Sequence, residues 1–377
     1  MAVDKRGRKL PKGIRQRGRG FEGRFMHRGE SYTVQGDTVS ETQDKITEAK
    51  YQLTHGTYIA RKDIYLTEWI EEWLGDYVKT HRKIGTYTTY TDLYHSAIRP
   101  EVTLLRLQDI TVDTVEQIYK RIKKNRKYSQ SSMETIAVIM KGCLERAEGR
   151  HLITTNPAKT AELPILVDYR AEEEEQRIAL TREQQDLFME CAQDSYLYNL
   201  FYVLLRTGIR VGEALALKYT DIDKKNNQLH IRRTLKHIEG QFVEDTPKSK
   251  TSIRDIPLTD NLIKVLDVQR NYWGFKIDRI DRYLFCDDEG KPLYRGRVQT
   301  QINRAIRKAR EIDKTFPDFT PHAFRHTFAT RAIEEGMEPQ VLKTILGHSS
   351  YAMTIDLYAH VLPAKKQEAM KLIENAF

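Results

Sequence analysis

The hydrophobic pattern of this 377-residue chain changes period along its length, and the changes point to a multidomain, mainly α protein with small β-sheets. Near the start, Gly13, Gly18, Gly20, Gly23 and Gly29 punctuate short alternating stretches, Phe21–Met26 and Ser31–Gln35, which read as strands joined by turns. From Thr42 to Leu53 the apolar positions Ile46, Ala49 and Leu53 take up helical spacing. Residues from about 10 to 55 are therefore expected to form a small three-stranded sheet with one helix across it. Helical stripes recur at Leu66–Leu74, Thr86–Ile98, Thr111–Lys123 and Ser132–Glu148, with breaks expected at Gly85, Pro100 and Gly149. Trp69, Trp73 and Tyr77 fall at i, i+4 and i+8, the pattern of a core-facing stripe. An irregular stretch with Pro164 and the acidic run Glu172–Glu175 suits a linker. Amphipathic helices then resume, interrupted by a β-rich segment with antiparallel strands expected at His230–Leu235, Ile238–Glu244 and Ser252–Ile256. The expected divisions are residues 1–60, 63–160, a linker over 161–176, and 177–377.

Charge is distributed as unevenly as the hydrophobic pattern. Residues 1–28 hold ten Lys/Arg against Asp4 and Glu22, so they carry +8 of the chain's formal +9. A basic stretch of this kind suggests a polyanionic partner, and the strand alternation with Phe21, Phe25 and Tyr32 argues for a folded domain over a basic tail. A second basic cluster, Lys123, Lys124, Arg126 and Lys127, is expected in a loop where it could touch phosphates. Mean hydropathy is −0.62, with neither a membrane-length apolar run nor a secretory signal, so a cytoplasmic protein with no membrane partner is expected. Cys143, Cys191 and Cys286 are widely spaced, which disfavours a disulfide framework or a cysteine-ligated zinc.

Four local patterns in the last segment bear chemistry. In Thr207-Gly-Ile-Arg-Val-Gly-Glu213 a glycine turn sets Arg210 at a helix start, where guanidinium and backbone amides can meet an anion. Thr246-Pro-Lys-Ser-Lys-Thr-Ser-Ile-Arg254 is a lysine-rich turn between strands. In Thr320-Pro-His-Ala-Phe-Arg-His-Thr-Phe-Ala329, Pro321 can open a helix with His322 and Arg325 on one face and Phe324 and Phe328 anchoring another. His322 and His326 at i, i+4 lack the intervening Glu of a zinc-protease helix, because Ala323 follows His322, and no metal is expected. Leu346-Gly-His-Ser-Ser leads into a helix that carries Tyr358 ten residues beyond His348, close enough to converge with it. Two arginines, a lysine, two histidines and a tyrosine suit phosphoryl transfer without a metal. The arginines would clamp non-bridging oxygens, a lysine would protonate the leaving oxygen, and Tyr358 would attack.

The motifs TGIRVGE, PHAFRHTFAT, LGHSS and TIDLYAH stand in an order and at separations that resemble the tyrosine recombinases of the lambda-integrase family, most of all integrases of phages and conjugative transposons. The resemblance extends over essentially the whole chain. It implies a catalytic set of Arg210, Lys248, His322, Arg325, His348 and the nucleophile Tyr358, with Glu213 orienting Arg210. Lys250 is the alternative to Lys248, and His326 is expected to pack or support. It implies an arm-type DNA-binding domain at 1–60, a helical core-binding domain at 63–160, and a mixed α/β catalytic domain at 177–377 whose tail helix docks on its own domain or a neighbour's. Arg15, Arg17, Arg19, Arg24 and Tyr32 become candidates for contacts to DNA. The implied reaction is strand exchange through a 3′-phosphotyrosyl bond and a Holliday junction, without cofactor. The implied partners are double-stranded DNA at core-type and arm-type sites, three further protomers in a tetramer, an excision factor and a DNA-bending host protein. A catalytically silent DNA-binding regulator would lack the intact catalytic set, and a type IB topoisomerase would lack the arm-like N-terminus.

Overall fold

The computed structural model describes residues 3–5, 7–55, 64–125, 128–164, 178–245, 253–274 and 282–361. The chain divides into two compact units, Met1–Val167 and Asp168–Phe377. The fold is mostly helical, with small antiparallel sheets.

The first unit opens with β1 (Ile14–Arg17), β2 (Gly20–His27) and β3 (Glu30–Gly36), antiparallel in that order, followed by α1 (Val39–Thr54). Thr38 caps α1 by accepting from the Glu41 amide. The helix lies so close to β2 that a Cβ on Gly23 would stand 2.6 Å from Ile46 Cδ1, and a side chain there would have to displace Ile46 and Thr42.

The helices that follow share one core. The first, α2 (Leu66–Glu72), runs into a π-helical stretch, Trp73–Val78. Next, α3 (Ile84–Leu93) passes through a second π-helical stretch, Tyr94–Ile98, into a last turn, Arg99–Val102. The break expected at Gly85 falls just before it, at the extended residues Arg82 and Lys83, whereas Pro100 sits in the last turn of the helix, so no break occurs at the proline. The wide turn, in which the Arg99 amide donates to the Tyr94 carbonyl, adjoins the proline that has no amide to donate. The core is closed by α4 (Val112–Asn125) and α5 (Gln130–Gly149), with Trp69, Tyr94, Tyr119 and Met140 buried. Lys123 and Lys124 lie in the last turn of α4, not in a loop, where cations complement the helix dipole. Arg126 and Lys127 fall outside the described residues. Ala161 and Leu163, placed in the linker by the sequence pattern, pack against this core instead.

The second unit contains α6 (Arg182–Cys191), α7 (Tyr198–Thr207), α8 (Val211–Leu215), β4 (Ile222–Asp223), β5 (Gln228–Ile231), β6 (Thr234–Ile238), β7 (Gln241–Asp245), β8 (Arg254–Pro257), α9 (Asp260–Asn271), α10 (Arg295–Ile312), α11 (His322–Glu334), α12 (Pro339–Leu346) and α13 (Ala352–Val361). The β-rich segment makes two sheets, β4-β5-β8 and β6-β7, rather than one run of three strands. Glu239 and Gly240, at φ 50° and 79°, turn the chain inside the expected second strand and pair Ile238 with Gln241. Arg232 and Arg233 part the expected first strand; their side chains bind Asp255 and Asp221. The core is aromatic around Phe324, whose ring centroid lies 5.5 Å from those of Phe188, Phe201 and Phe319. Phe324 thus fixes the rotation of α11. Phe328, one turn on, packs with a smaller cluster of Ala329, Ile333, Leu342 and Leu346.

Candidate active site and basic sheet face

Anchoring Phe324 inward turns His322, Arg325, His326 and Ala329 of α11 along one stripe of the helix. They line a cavity of about 180 Å³ together with Arg210, Leu346, His348, Met353 and Leu357. Both arginines and both histidines singled out by the motifs are therefore brought to one place.

Arg210, Arg325 and His348 are each held by backbone or by a buried partner. Gly208 ends α7 at φ +63°, and a Cβ there would stand 2.4 Å from Phe328 and 2.8 Å from Leu346, so the turn into Arg210 requires glycine twice over. Arg325 is buried; its Nη1 donates to the Gly208 carbonyl at 2.9 Å and its Nη2 to the Leu346 carbonyl at 2.8 Å. Burial and the charge of Arg210 lower its pKa, yet leave it a cation at neutral pH. Arg210 caps α8: its amide donates to Glu213 Oε2 and its Nη1 to Oε1, each at 2.9 Å. Burial pushes the Glu213 carboxyl up, but the hydrogen bond and charge of Arg254, joined by Arg210, hold it below the usual carboxylate range.

His348 follows Gly347, which ends α12 in the left-handed conformation. Its Nδ1 pairs with the buried Thr354 hydroxyl at 2.9 Å, which leaves Nε2 for another partner. Burial, then Arg325 and Arg210, push its pKa down to about 4. His322 is likewise lowered, first by burial and then by Arg325 and Arg210. Its ring stacks on that of His326 with centroids 4.8 Å apart. His322 and His348 both face the cavity with pKa values held below the ordinary histidine value.

Tyr358 stands apart. Leu357 and Met353 of α13 reach the cavity, whereas Tyr358, about 100° further around the helix, packs against the Ala329–Leu346 cluster and donates its hydroxyl to the Met337 carbonyl. Burial, Tyr351 and Glu338 raise its pKa. The expected convergence of His348 and Tyr358 is thus absent in this arrangement, because the helix rotation that buries the ring turns it from the histidine. Lys248, Lys250 and the tail helix after Val361 lie outside the described residues.

Sequence reasoning passed over Arg254 and Thr354. Arg254 Nη2 lies 2.9 Å from Glu213 Oε2, and its Nε donates to the Ile345 carbonyl at 2.5 Å. Strand parity carried a signal: Arg254 and Ile256 alternate with Ile253 and Asp255, and the first pair faces inward.

In the small sheet, Arg15 and Arg17 share a face with Glu22. Their side chains are 66% and 68% exposed, that of Glu22 is 4% exposed, and both guanidiniums bridge to it at 2.5 and 2.8 Å. Arg24 lies on the same side and donates to Ser31 Oγ; Arg19 is exposed in the β1–β2 turn. Tyr32 is not with them. It pairs across strands with Phe25, which takes the helix side, and their rings stack at 5.8 Å. The Tyr32 hydroxyl donates to Glu30.

One guanidinium aimed by backbone carbonyls and one by Glu213, with two imidazoles beside them, suit a tetrahedral oxyanion. That is the apparatus of an enzyme that transfers phosphodiester bonds. Residues 178–365 match the phage integrase family, and residues 65–123 match the N-terminal SAM-like domain of phage integrases. The chain belongs to the phage integrase family, the tyrosine recombinases. It is 24% identical over 361 residues to the tyrosine recombinase XerC-like protein of Caldanaerobacter subterraneus subsp. tengcongensis, covering 91% of each chain. It is 32% identical over 194 residues to the ICEBs1 integrase of Bacillus subtilis, covering 48% of this chain and 50% of that one. The fold is that of the Tn1549 transposon integrase solved in complex with transposon right end DNA, at a TM-score of 0.70 and 22% identity over 82% of this chain and all of that one.

Proposed function

We propose that this protein is a site-specific DNA integrase that inserts and excises a mobile element through a 3′-phosphotyrosyl intermediate and a Holliday junction. The observation that carries this reading is the cavity lined by Arg210, His322, Arg325 and His348, with Met353 and Leu357 of α13, the helix that bears Tyr358, along one wall. In the cleavage step the Tyr358 oxygen forms a bond to the scissile phosphorus, and the phosphorus–O5′ bond breaks. The phenolic proton passes to a neutral imidazole at the cavity wall. The departing 5′ oxygen takes a proton from Lys248, with Lys250 as the alternative. Arg210 and Arg325 hold the non-bridging oxygens while negative charge builds on them. His348 Nε2 donates to the same oxygens. The 5′-hydroxyl of a partner duplex then attacks the phosphotyrosine, and repetition on the second strands resolves the junction.

Residues 1–60 serve as the arm-type DNA-binding domain, with Arg15, Arg17, Arg19 and Arg24 toward DNA. Residues 63–160 hold core-type DNA with Lys123, Lys124, Arg126 and Lys127, and 161–176 link them to the catalytic residues 177–377. Four protomers assemble on DNA, with an excision factor and a DNA-bending host protein setting direction. The chain acts in the cytoplasm.

Sequencing the DNA covalently trapped on the protein tests the reading. A single recurrent junction sequence attached through Tyr358, absent in Tyr358→Phe, is expected. Absence of an adduct, or an adduct that persists in Tyr358→Phe, contradicts it.

A further inference from the structure

Glu213 presents a problem of charge. It is 3% exposed and orients Arg210, but a carboxylate matched by Arg210 alone would cancel the positive charge that a phosphate needs. The second guanidinium, Arg254, is also 3% exposed and lies 2.9 Å from Glu213. Its charge balances Glu213 and leaves the three-residue group at +1, so Arg210 is oriented without being neutralised.

Arg254 also spans the site. Through Nε it holds the Ile345 carbonyl, and Arg325 holds the next carbonyl, that of Leu346. Two buried arginines thus grip the end of α12, two residues before His348. Arg254 reaches back from there to the Glu213 that aims Arg210, and Arg325 reaches back to the Gly208 turn that precedes it.

We infer that Arg254 is a positioning residue for strand cleavage: it balances Glu213 and ties the Arg210 turn to the His348 turn. The inference rests on the integrase reading, in which Arg210 and His348 meet the scissile phosphate.

The test is single-turnover formation of the covalent adduct by the full chain, followed across pH, on a nicked duplex bearing the junction sequence recovered from trapped DNA. Arg254→Met should slow cleavage about 100-fold, the scale of a small misplacement of a reacting group. Its acid limb should move to higher pH. Among the described residues Glu213 then keeps Arg210 and, further off, Arg325 as its cations, takes up a proton more readily and releases Arg210. Arg254→Lys supplies one point charge that cannot serve Glu213 and Ile345 together, and should lie between the two. In Glu213→Gln/Arg254→Met no carboxylate remains to titrate, so the shifted acid limb should vanish.

Melting temperature, and affinity for the same duplex in a Tyr358→Phe background, separate these effects from loss of fold. Should Arg254→Met not fold, Arg254→Lys decides the matter: a folded lysine variant with wild-type rate and pH profile overturns the proposal. So does an Arg254→Met that cleaves at the wild-type rate, or one that slows with an unmoved pH profile. A wild-type chain that forms no adduct on this duplex sinks the integrase reading and this role with it. An adduct in the wild type with unaltered Arg254 variants sinks this role alone.

Discussion

The hydroxyl of Tyr358 is held by the main-chain carbonyl of Met337, in the turn between α11 and α12, and not by any group that lines the cavity. On the proposed integrase reading, attack on a phosphate held by Arg210 and Arg325 requires α13 to turn or shift. A Leu357→Ala substitution removes the side chain that keeps this helix seated at the cavity wall. It should alter the rate of adduct formation while leaving the affinity for DNA unchanged, a separation that single-turnover kinetics and binding measurements would expose.

His348 makes stability depend on pH. Its folded pKa of about 4 lies below its unfolded value near 6.5, so the unfolded chain binds the proton more tightly. The stability contributed by the neutral ring is complete above about pH 6.5 and is lost as pH falls toward 4, an effect of about 3 kcal/mol in this buried group. Denaturant midpoints measured over that window should fall in the wild type and fall less in His348→Gln. Equal slopes would contradict the assignment.

Gly208 should tolerate no side chain. Gly208→Ala incurs about 1–2 kcal/mol from the left-handed backbone and a further 1–3 kcal/mol, roughly, from overpacking against Phe328 and Leu346. Chemical denaturation should register the loss, and trimming the neighbour in Gly208→Ala/Phe328→Leu should recover only the packing share.

Glu22 offers a test away from the catalytic unit. Arg15→Ala and Arg17→Ala should each lower the slope of log affinity against log salt on arm-type DNA by about one. Glu22→Gln removes the anion that fixes both guanidiniums. It should raise affinity for arbitrary duplexes and reduce discrimination among them, as competition binding would record.

The sequence disclosed the residues of this cavity unevenly. Arg210, His322, Arg325 and His348 sit in short motifs whose order is visible in the chain, and the fold gathers them at one cavity. Arg254 shows in the chain only as an inward strand position: an arginine at the end of a lysine-rich turn looks like solvent-facing charge, and its partner Glu213 lies 41 residues away. The parity of one strand sets Tyr32 apart from the arginines, since it pairs with Phe25 on the helix side. Pro100 looks like a break because local propensity does not anticipate a π-helical turn just before it. Motif order marks the four side chains that the fold gathers; the rotation of α13, the parity of a strand and a distant partner decide the rest.

The carbonyls that aim Arg325 belong to residues 117 and 21 positions away from it in the chain, and the one that Arg254 holds is 91 positions away. A ribosome must therefore have delivered α12 before either guanidinium acquires its direction. Until then the growing polypeptide carries the arginines without the grip that makes them an oxyanion receptor. A prematurely terminated product lacking that helix would hold DNA, at most, and leave it unbroken.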